Sequence, residues 1–214
     1  MDTQKIYIFS GLGADERAFQ NIDFSGLDIQ HVKWLTPNNE ESIRAYAKRL
    51  ATQIIEKEPI LIGLSFGGIM ALEVAKHIAV KRIILLSSAK KKDEIPIYFR
   101  LAGKIRLHFL LPTALLKKAN CVNFWLFGTS TLADKKLLKD ILSDTDVTFL
   151  RWALQQIVRW DNESTPCPIA QLHGTKDRIL PIRFVNDADL IDAGGHFMVL
   201  NRAKEVSVFI RKHL

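Results

Sequence analysis

The stretch "ILIGLSFGGIMALEV", residues 60–74, passes from a strand-like apolar run through Gly63-Leu64-Ser65-Phe66-Gly67-Gly68 into apolar residues at helical spacing. A buried strand that turns at once into a helix leaves the residue at the corner strained and exposed. Glycines on either side let the two backbones pass close together. This reading makes Ser65 a candidate nucleophile; the competing structural reading is a packing serine in a tight turn. The motif alone does not choose between them. The choice depends on whether the chain supplies a base, an acid and an oxyanion site in the order this turn requires.

With 214 residues, the chain has room for one domain with a sizeable core, or one domain carrying an insertion. Its hydrophobic fraction of 48% and charged fraction of 25% are those of an ordinary globular protein, without repeats or low-complexity tracts. The start, "MDTQKIYIFSGLG", lacks the basic and long apolar segments of a signal peptide, so a cytoplasmic location is expected. Cys121 and Cys167 stand in unlike contexts and suggest neither a disulfide framework nor a zinc site; buried free thiols are the expectation. No uncharged apolar run is long enough to span a bilayer.

Strand-like runs recur at "KIYIF", "ILIGL", "RIILLSS", "PIAQLHG" and "ADLIDAGG", with a weaker "DIQHVKW" near Val32. Most are solidly apolar, as strands covered by helices on both faces must be. Between them lie helical patterns. Glu40 and Glu41 occupy what reads as an acidic first turn, followed by Ile43, Ala47, Leu50 and Ile54 on one face until Lys57 and Pro59 end the run. The last segment, from Asn201 through Val206, Phe209 and Ile210, repeats the pattern. Alternating strand and helix predicts an α/β domain, doubly wound around a mainly parallel sheet of about six strands, with active-site loops at the carboxyl ends of the strands. Residues 90–160 break the alternation: they carry amphipathic stretches such as Phe149, Leu150, Ala153, Leu154 and Ile157 behind Asp146 as an N-cap. They read as a helical lid inserted into a core formed by residues 1–89 and 161–214.

Four loops that follow strands then line up: "FSGLGADERAF", "GLSFGG", "HGTKDRILP" and "GGHFMVL". A serine hydroxyl needs a base with a pKa near seven, and His196 is of the right type. The imidazole needs a carboxylate on its far nitrogen to fix the tautomer. Asp177 is the candidate, with Asp187, Asp189 and Asp192 as nearby alternatives. A tetrahedral oxyanion needs two backbone donors: Phe66 N–H from the elbow, and Leu12 N–H from the Gly11-Leu12-Gly13 loop, with Gly13 as the alternative. Scattered histidines and the absence of a Gly-rich phosphate loop with Lys-Ser/Thr give no support for a metal or a cofactor.

The order Ser65, Asp177, His196, with "GLSFGG", "HGTKD" and "GGHF" around them, resembles that of the α/β-hydrolases over nearly the whole chain. Ser10-Gly11 stands where that family commonly has His-Gly, and the chain starts at the strand ahead of the oxyanion loop, so a trimmed sheet is implied. The resemblance implies a serine hydrolase acting on a small ester or thioester through an acyl-enzyme. Within such a family the same triad also serves carbon–carbon bond hydrolases, lyases, cofactor-free peroxidases and ligand receptors.

Charge is uneven. Between Ala89 and Asp140 there are eleven Lys/Arg against four Asp/Glu, which accounts for the whole net charge of +7. On a helix, Arg100, Lys104 and His108 would form one basic stripe, with Arg106 beside it. Such a stripe suits a small anionic substrate, or peripheral contact with an anionic membrane surface, or solubility alone. No nucleic-acid-binding motif accompanies the charge.

Overall fold

Alternate residues of the first strand, β1 (Ile6–Phe9), enter opposite cores: Tyr7 and Phe9 one, Ile6 and Ile8 the other. All four are buried, which is why the run reads as continuously apolar. The computed structural model describes residues 4–104 and 120–214. Its strands are β1, β2 (Ile29–His31), β3 (Ile60–Leu64), β4 (Arg82–Leu86), β5 (Ile169–Gly174) and β6 (Asp189–Ile191). They form one sheet of order β2-β1-β3-β4-β5-β6, parallel throughout, with Ile8 opposite both His31 and Ile62, and Leu86 opposite Leu64 and Leu172. The order reverses at β1, whose two neighbours are β2 and β3. The crevice outside the carboxyl ends of β1 and β3 is therefore the topological switch point where ligands bind in such sheets.

One core packs α1 (Ile43–Leu50) and α2 (Phe66–Val74) against Tyr7, Phe9, Leu61, Ile83 and Leu85. The other packs α7 (Met198–Asn201) and α8 (Ala203–Lys212) against Ile8, Ile62, Ile84 and Leu172. Each large apolar side chain so buried contributes about 1.5–3 kcal/mol relative to exposure.

Between β4 and β5 the chain forms α3 (Ile97–Lys104), α4 (Cys121–Phe127), α5 (Leu132–Asp144) and α6 (Val147–Arg159). These helices do not stand apart from the core. Leu138, Ile141 and Leu142 of α5 join one apolar cluster, and Phe149, Trp152 and Ala153 of α6 join the other. Asp146 caps α6 by accepting from Phe149 N–H at 2.7 Å, and Thr131 and Asp134 form a capping box on α5.

Three details differ from the sequence reading. The first helix starts at Ile43 with Ser42 as its cap, because Glu40 has a left-handed φ of 53° and Glu41 turns back to accept from Asn38 N–H at 2.8 Å. The final helical pattern is two helices, interrupted at Arg202. Of the two thiols, Cys121 is exposed and Cys167 half-buried, and burial pushes the Cys167 thiol up.

Candidate active site

Ser65 sits between β3 and α2 with φ 52° and ψ −121°, a conformation that costs a non-glycine residue energy and persists only when its surroundings hold it. They do so here. Its N–H donates to Leu86 O at 2.9 Å, and its carbonyl accepts from Gly68 N–H at 2.9 Å and from the Ser88 hydroxyl at 2.6 Å. The glycines are needed for space: a Cβ on Gly67 would collide with the carbonyl oxygens of Phe9 and Ser10, and one on Gly63 with the backbone of Gly68.

His196 follows β6 on the loop leading into α7, and its Nε2 lies 2.9 Å from Ser65 Oγ. Its Nδ1 lies 2.7 Å from Asp177 Oδ2, a carboxylate oxygen that can only accept, so Nδ1 carries the proton and Nε2 is free to take one from the serine. Asp177 lies just past β5 and is 4% exposed. Its Oδ1 accepts from the N–H groups of Ile179 at 2.9 Å and Leu180 at 2.8 Å. Burial alone would raise this carboxyl; the charge of His196 and the hydrogen bonds of His173 and His196 outweigh it and hold the group far below the usual carboxylate range. The alternatives Asp187, Asp189 and Asp192 are exposed and do not touch His196; Asp192 accepts from the Thr175 hydroxyl.

The loop after β1 closes a turn in which Ala14 N–H donates to Gly11 O at 3.0 Å and Gly13 has φ 71°, the arrangement of a type II turn. A Cβ on Gly11 would come within 3.6 Å of Ser65 Cβ, so this turn lies against the elbow. Among the described residues, the N–H groups of Leu12 and Phe66 have no hydrogen-bond partner, and neither has that of Gly13. Open amides therefore stand on both sides of the serine: Phe66 N–H from the elbow, and Leu12 and Gly13 N–H from the turn.

One residue of the site was not singled out in the sequence. His173, wholly buried on β5, donates from Nε2 to Leu180 O at 2.7 Å and comes within 3.3 Å of Asp177 Oδ2, while its Nδ1 has no partner among the described residues. Its only sequence signal was its place four residues ahead of the acid in "HGTKD". The helix α4 abuts the same loops: Phe197 N–H donates to Phe127 O at 3.0 Å, the Phe127 ring meets His196 at 5.8 Å, and Arg178 donates to Trp125 O while stacking on its ring.

Of the predicted basic stripe, only Arg100 has a side chain among the described residues, and that side chain lies away from this site. Arg100 pairs with Asp93 at 3.2 Å and lines a separate groove with Gly103, Val158 and Trp160, whose lining contains none of Ser65, Asp177, His196, Leu12 or Phe66. The side chain of Lys104 lies outside the described residues, as do Arg106 and His108. Among the described residues no group of three or more His, Cys, Asp or Glu is placed to hold a metal ion, and no helix is long and apolar enough to cross a membrane.

Residues 10–207 match the model of the alpha/beta hydrolase family, a span that contains the elbow, the acid and the histidine. The chain belongs to the alpha/beta hydrolase family. Solved structures of this fold agree with the architecture at low identity. A lipase-esterase related protein from Clostridium acetobutylicum superposes with a TM-score of 0.71 at 16% identity, covering 98% of this chain and 94% of that one. A thermophilic esterase from Thermogutta terrifontis gives 0.68 at 15% identity over 98% and 88%. A putative non-heme bromoperoxidase from Mycobacterium tuberculosis gives 0.71 at 13% identity over 98% and 91%. A comparison with curated proteins finds no match.

Proposed function

We propose that this hydrolase cleaves a small ester or thioester, with Ser65 as nucleophile, His196 as general base and acid, and Asp177 as the group that orients the imidazole. The observation that carries the reading is the unbroken line from Ser65 Oγ to His196 Nε2 at 2.9 Å and from His196 Nδ1 to Asp177 Oδ2 at 2.7 Å, raised on a strained elbow beside two open amides. The esterases among the structural relatives support the same class of reaction, by likeness of fold alone.

In the first half-reaction, Ser65 Oγ attacks the carbonyl carbon as its proton passes to His196 Nε2. The Phe66 and Leu12 N–H groups face the developing oxyanion; a single donor of this kind is worth about 10²–10³ in rate. The intermediate collapses, the carbon–oxygen or carbon–sulfur bond to the leaving group breaks, and the departing alcohol or thiol takes the proton from His196. In the second, a water gives a proton to His196 and attacks the acyl-enzyme. The acid leaves, and the proton returns to Ser65 Oγ. Helix α4, against the acid and histidine loops, serves as part of a lid over the site.

The test is a panel of esters and thioesters, assayed with the purified protein and with Ser65→Ala. The reading predicts sustained Ser65-dependent release of both acid and alcohol or thiol. Ligand-dependent stabilisation with only a few turnovers would instead indicate a receptor, and absence of turnover on every ester and thioester would contradict the reading.

A further inference from the structure

The corner between α5 and α6 reaches across to the turn that carries the Leu12 and Gly13 amides. Thr145, buried at that corner, has its hydroxyl 3.0 Å from Gly13 O and 2.9 Å from Ile141 O. A hydroxyl has one proton to give, so here it is shared between the last turn of α5 and the oxyanion turn. Among the described residues it is the one hydrogen-bond donor to Gly13 O. The contact is also one of packing, since a Cβ on Gly13 would lie 2.7 Å from Thr145 Oγ1. Asp144, the neighbouring residue, makes a second tie: Arg17 donates to it at 2.7 Å and to Asp15 at 2.6 Å, and Asp15 follows the turn directly. Ala14 packs against the apolar cluster that holds Leu138, Ile141 and Leu142 of α5. Gly13, Thr145 and Phe149 share the lining of one cleft beside the turn.

These ties matter because the turn has little stiffness of its own. Gly11 and Gly13 belong to the residue type with the widest choice of backbone angles. The turn's own hydrogen bond, from Ala14 N–H to Gly11 O at 3.0 Å, uses the N–H of the Gly13–Ala14 peptide. The Thr145 hydroxyl donates to the carbonyl of that same peptide, which is thereby held at both ends. The N–H groups ahead of it, those of Leu12 and Gly13, stay open beside Ser65. An oxyanion donor works only within about 2.7–3.1 Å of the place where the charge develops, and a misplacement of about 1 Å costs up to about 10²-fold in rate. We infer that Thr145 is a positioning residue for the proposed acyl transfer. Its hydroxyl, set on the α5–α6 corner, holds the oxyanion turn in place against the elbow, and the Asp144–Arg17–Asp15 pairings act as a weaker outer tie. The inference rests on the hydrolase reading for the role of the turn.

Thr145→Val removes the hydroxyl and keeps the shape; Thr145→Ser keeps the hydroxyl. With 4-nitrophenyl acetate and butanoate, kcat of Thr145→Val should fall by about tenfold or more while KM stays within about twofold of wild type, and Thr145→Ser should recover most of the loss. A second readout reports on the oxyanion itself. The carbonyl carbon of 1,1,1-trifluorooctan-2-one accepts a bond from Ser65 Oγ; the serine proton passes to His196, and the carbonyl oxygen becomes the anion that the turn must face. Its Ki should rise in Thr145→Val by about the factor lost from kcat/KM, as expected of a transition-state analogue. A merely structural role would lower Tm and leave both Ki and kcat, measured well below Tm, unchanged. That result, or a Thr145→Ser variant no better than Thr145→Val, would overturn the inference. Should Thr145→Val yield no folded protein, Arg17→Gln decides, because it cuts the outer tie at a partly exposed position. It should lower kcat and raise Ki together by about threefold, and no change in either would overturn the inference. A wild type inert toward the whole ester and thioester panel and toward the ketone would refute the hydrolase reading and the inference with it. Turnover and ketone inhibition that are equal in wild type and Thr145→Val would refute the inference alone.

Discussion

His173 Nε2 lies 3.3 Å from Asp177 Oδ2, the same carboxylate oxygen that accepts the hydrogen bond of His196 Nδ1–H. The acid of the site is thus held by two imidazoles, one facing the serine and the other sealed in the core. The sealed one also donates to Leu180 O, so a single ring fixes both the carboxylate and the backbone that curls around it.

His173→Ala should therefore act on stability and on turnover together. It leaves the Leu180 carbonyl without its donor in a buried place, at a cost of about 1–3 kcal/mol, and it loosens Asp177. A fall in kcat of about tenfold with KM little changed is expected for a positioning residue, and His173→Gln, whose amide can still donate, should recover part of it. Chemical denaturation and steady-state kinetics on the three proteins check this; an alanine variant equal to wild type on both measures would contradict it.

Asp177→Asn replaces an acceptor-only oxygen by an amide. Facing His196 with its NH2 group, the amide would favour the tautomer that carries its proton on Nε2, the atom that must accept from Ser65. Turnover should fall by about 10⁴ with the fold retained by circular dichroism. Near-wild-type turnover would require another acid, and no other carboxylate among the described residues touches His196.

The elbow offers a test of fold rather than chemistry. Gly67→Ala places a methyl group against the Phe9 and Ser10 carbonyl oxygens, which belong to β1 and its following loop and cannot yield singly. Destabilisation of about 1–3 kcal/mol or more, with loss of soluble yield, is the expected outcome. A variant as stable as wild type would show that β1 and α2 are further apart than described.

Acid should weaken the fold through Asp177. Its folded pKa is depressed below the ordinary value of about 3.9, so its contribution is fully present above that value. As pH falls through it, the unfolded chain binds the proton first and stability is lost. Wild type should lose more stability than Asp177→Asn between about pH 5 and pH 2, measured by denaturation at each pH; equal slopes would contradict the depressed pKa.

Much of this was legible in the chain, for local reasons. The elbow could be read because its glycines, serine and flanking apolar runs all lie within residues 60–74, and the parallel sheet because strands buried on both faces have no polar alternation. What escaped depends on partners distant in sequence or on backbone angles. Glu41 looks like a first-turn acid until the left-handed φ of Glu40 turns it outside the helix. His173 looks like one more strand residue until Leu180 and Asp177 close on it. Residues 90–160 read as helical, but the pattern could not say that α5 and α6 would enter opposite cores and make Phe149 a wall of the cleft beside Gly13.

The central claim is that Ser65 is a nucleophile activated by His196, and the most direct measurement is the mass of the intact protein after treatment with a fluorophosphonate. The account predicts one adduct per chain, mapping to Ser65, absent in Ser65→Ala and strongly slowed in His196→Ala, with Ser65→Ala still folded. Labelling that persists in Ser65→Ala, or that maps to another residue in wild type, would contradict it.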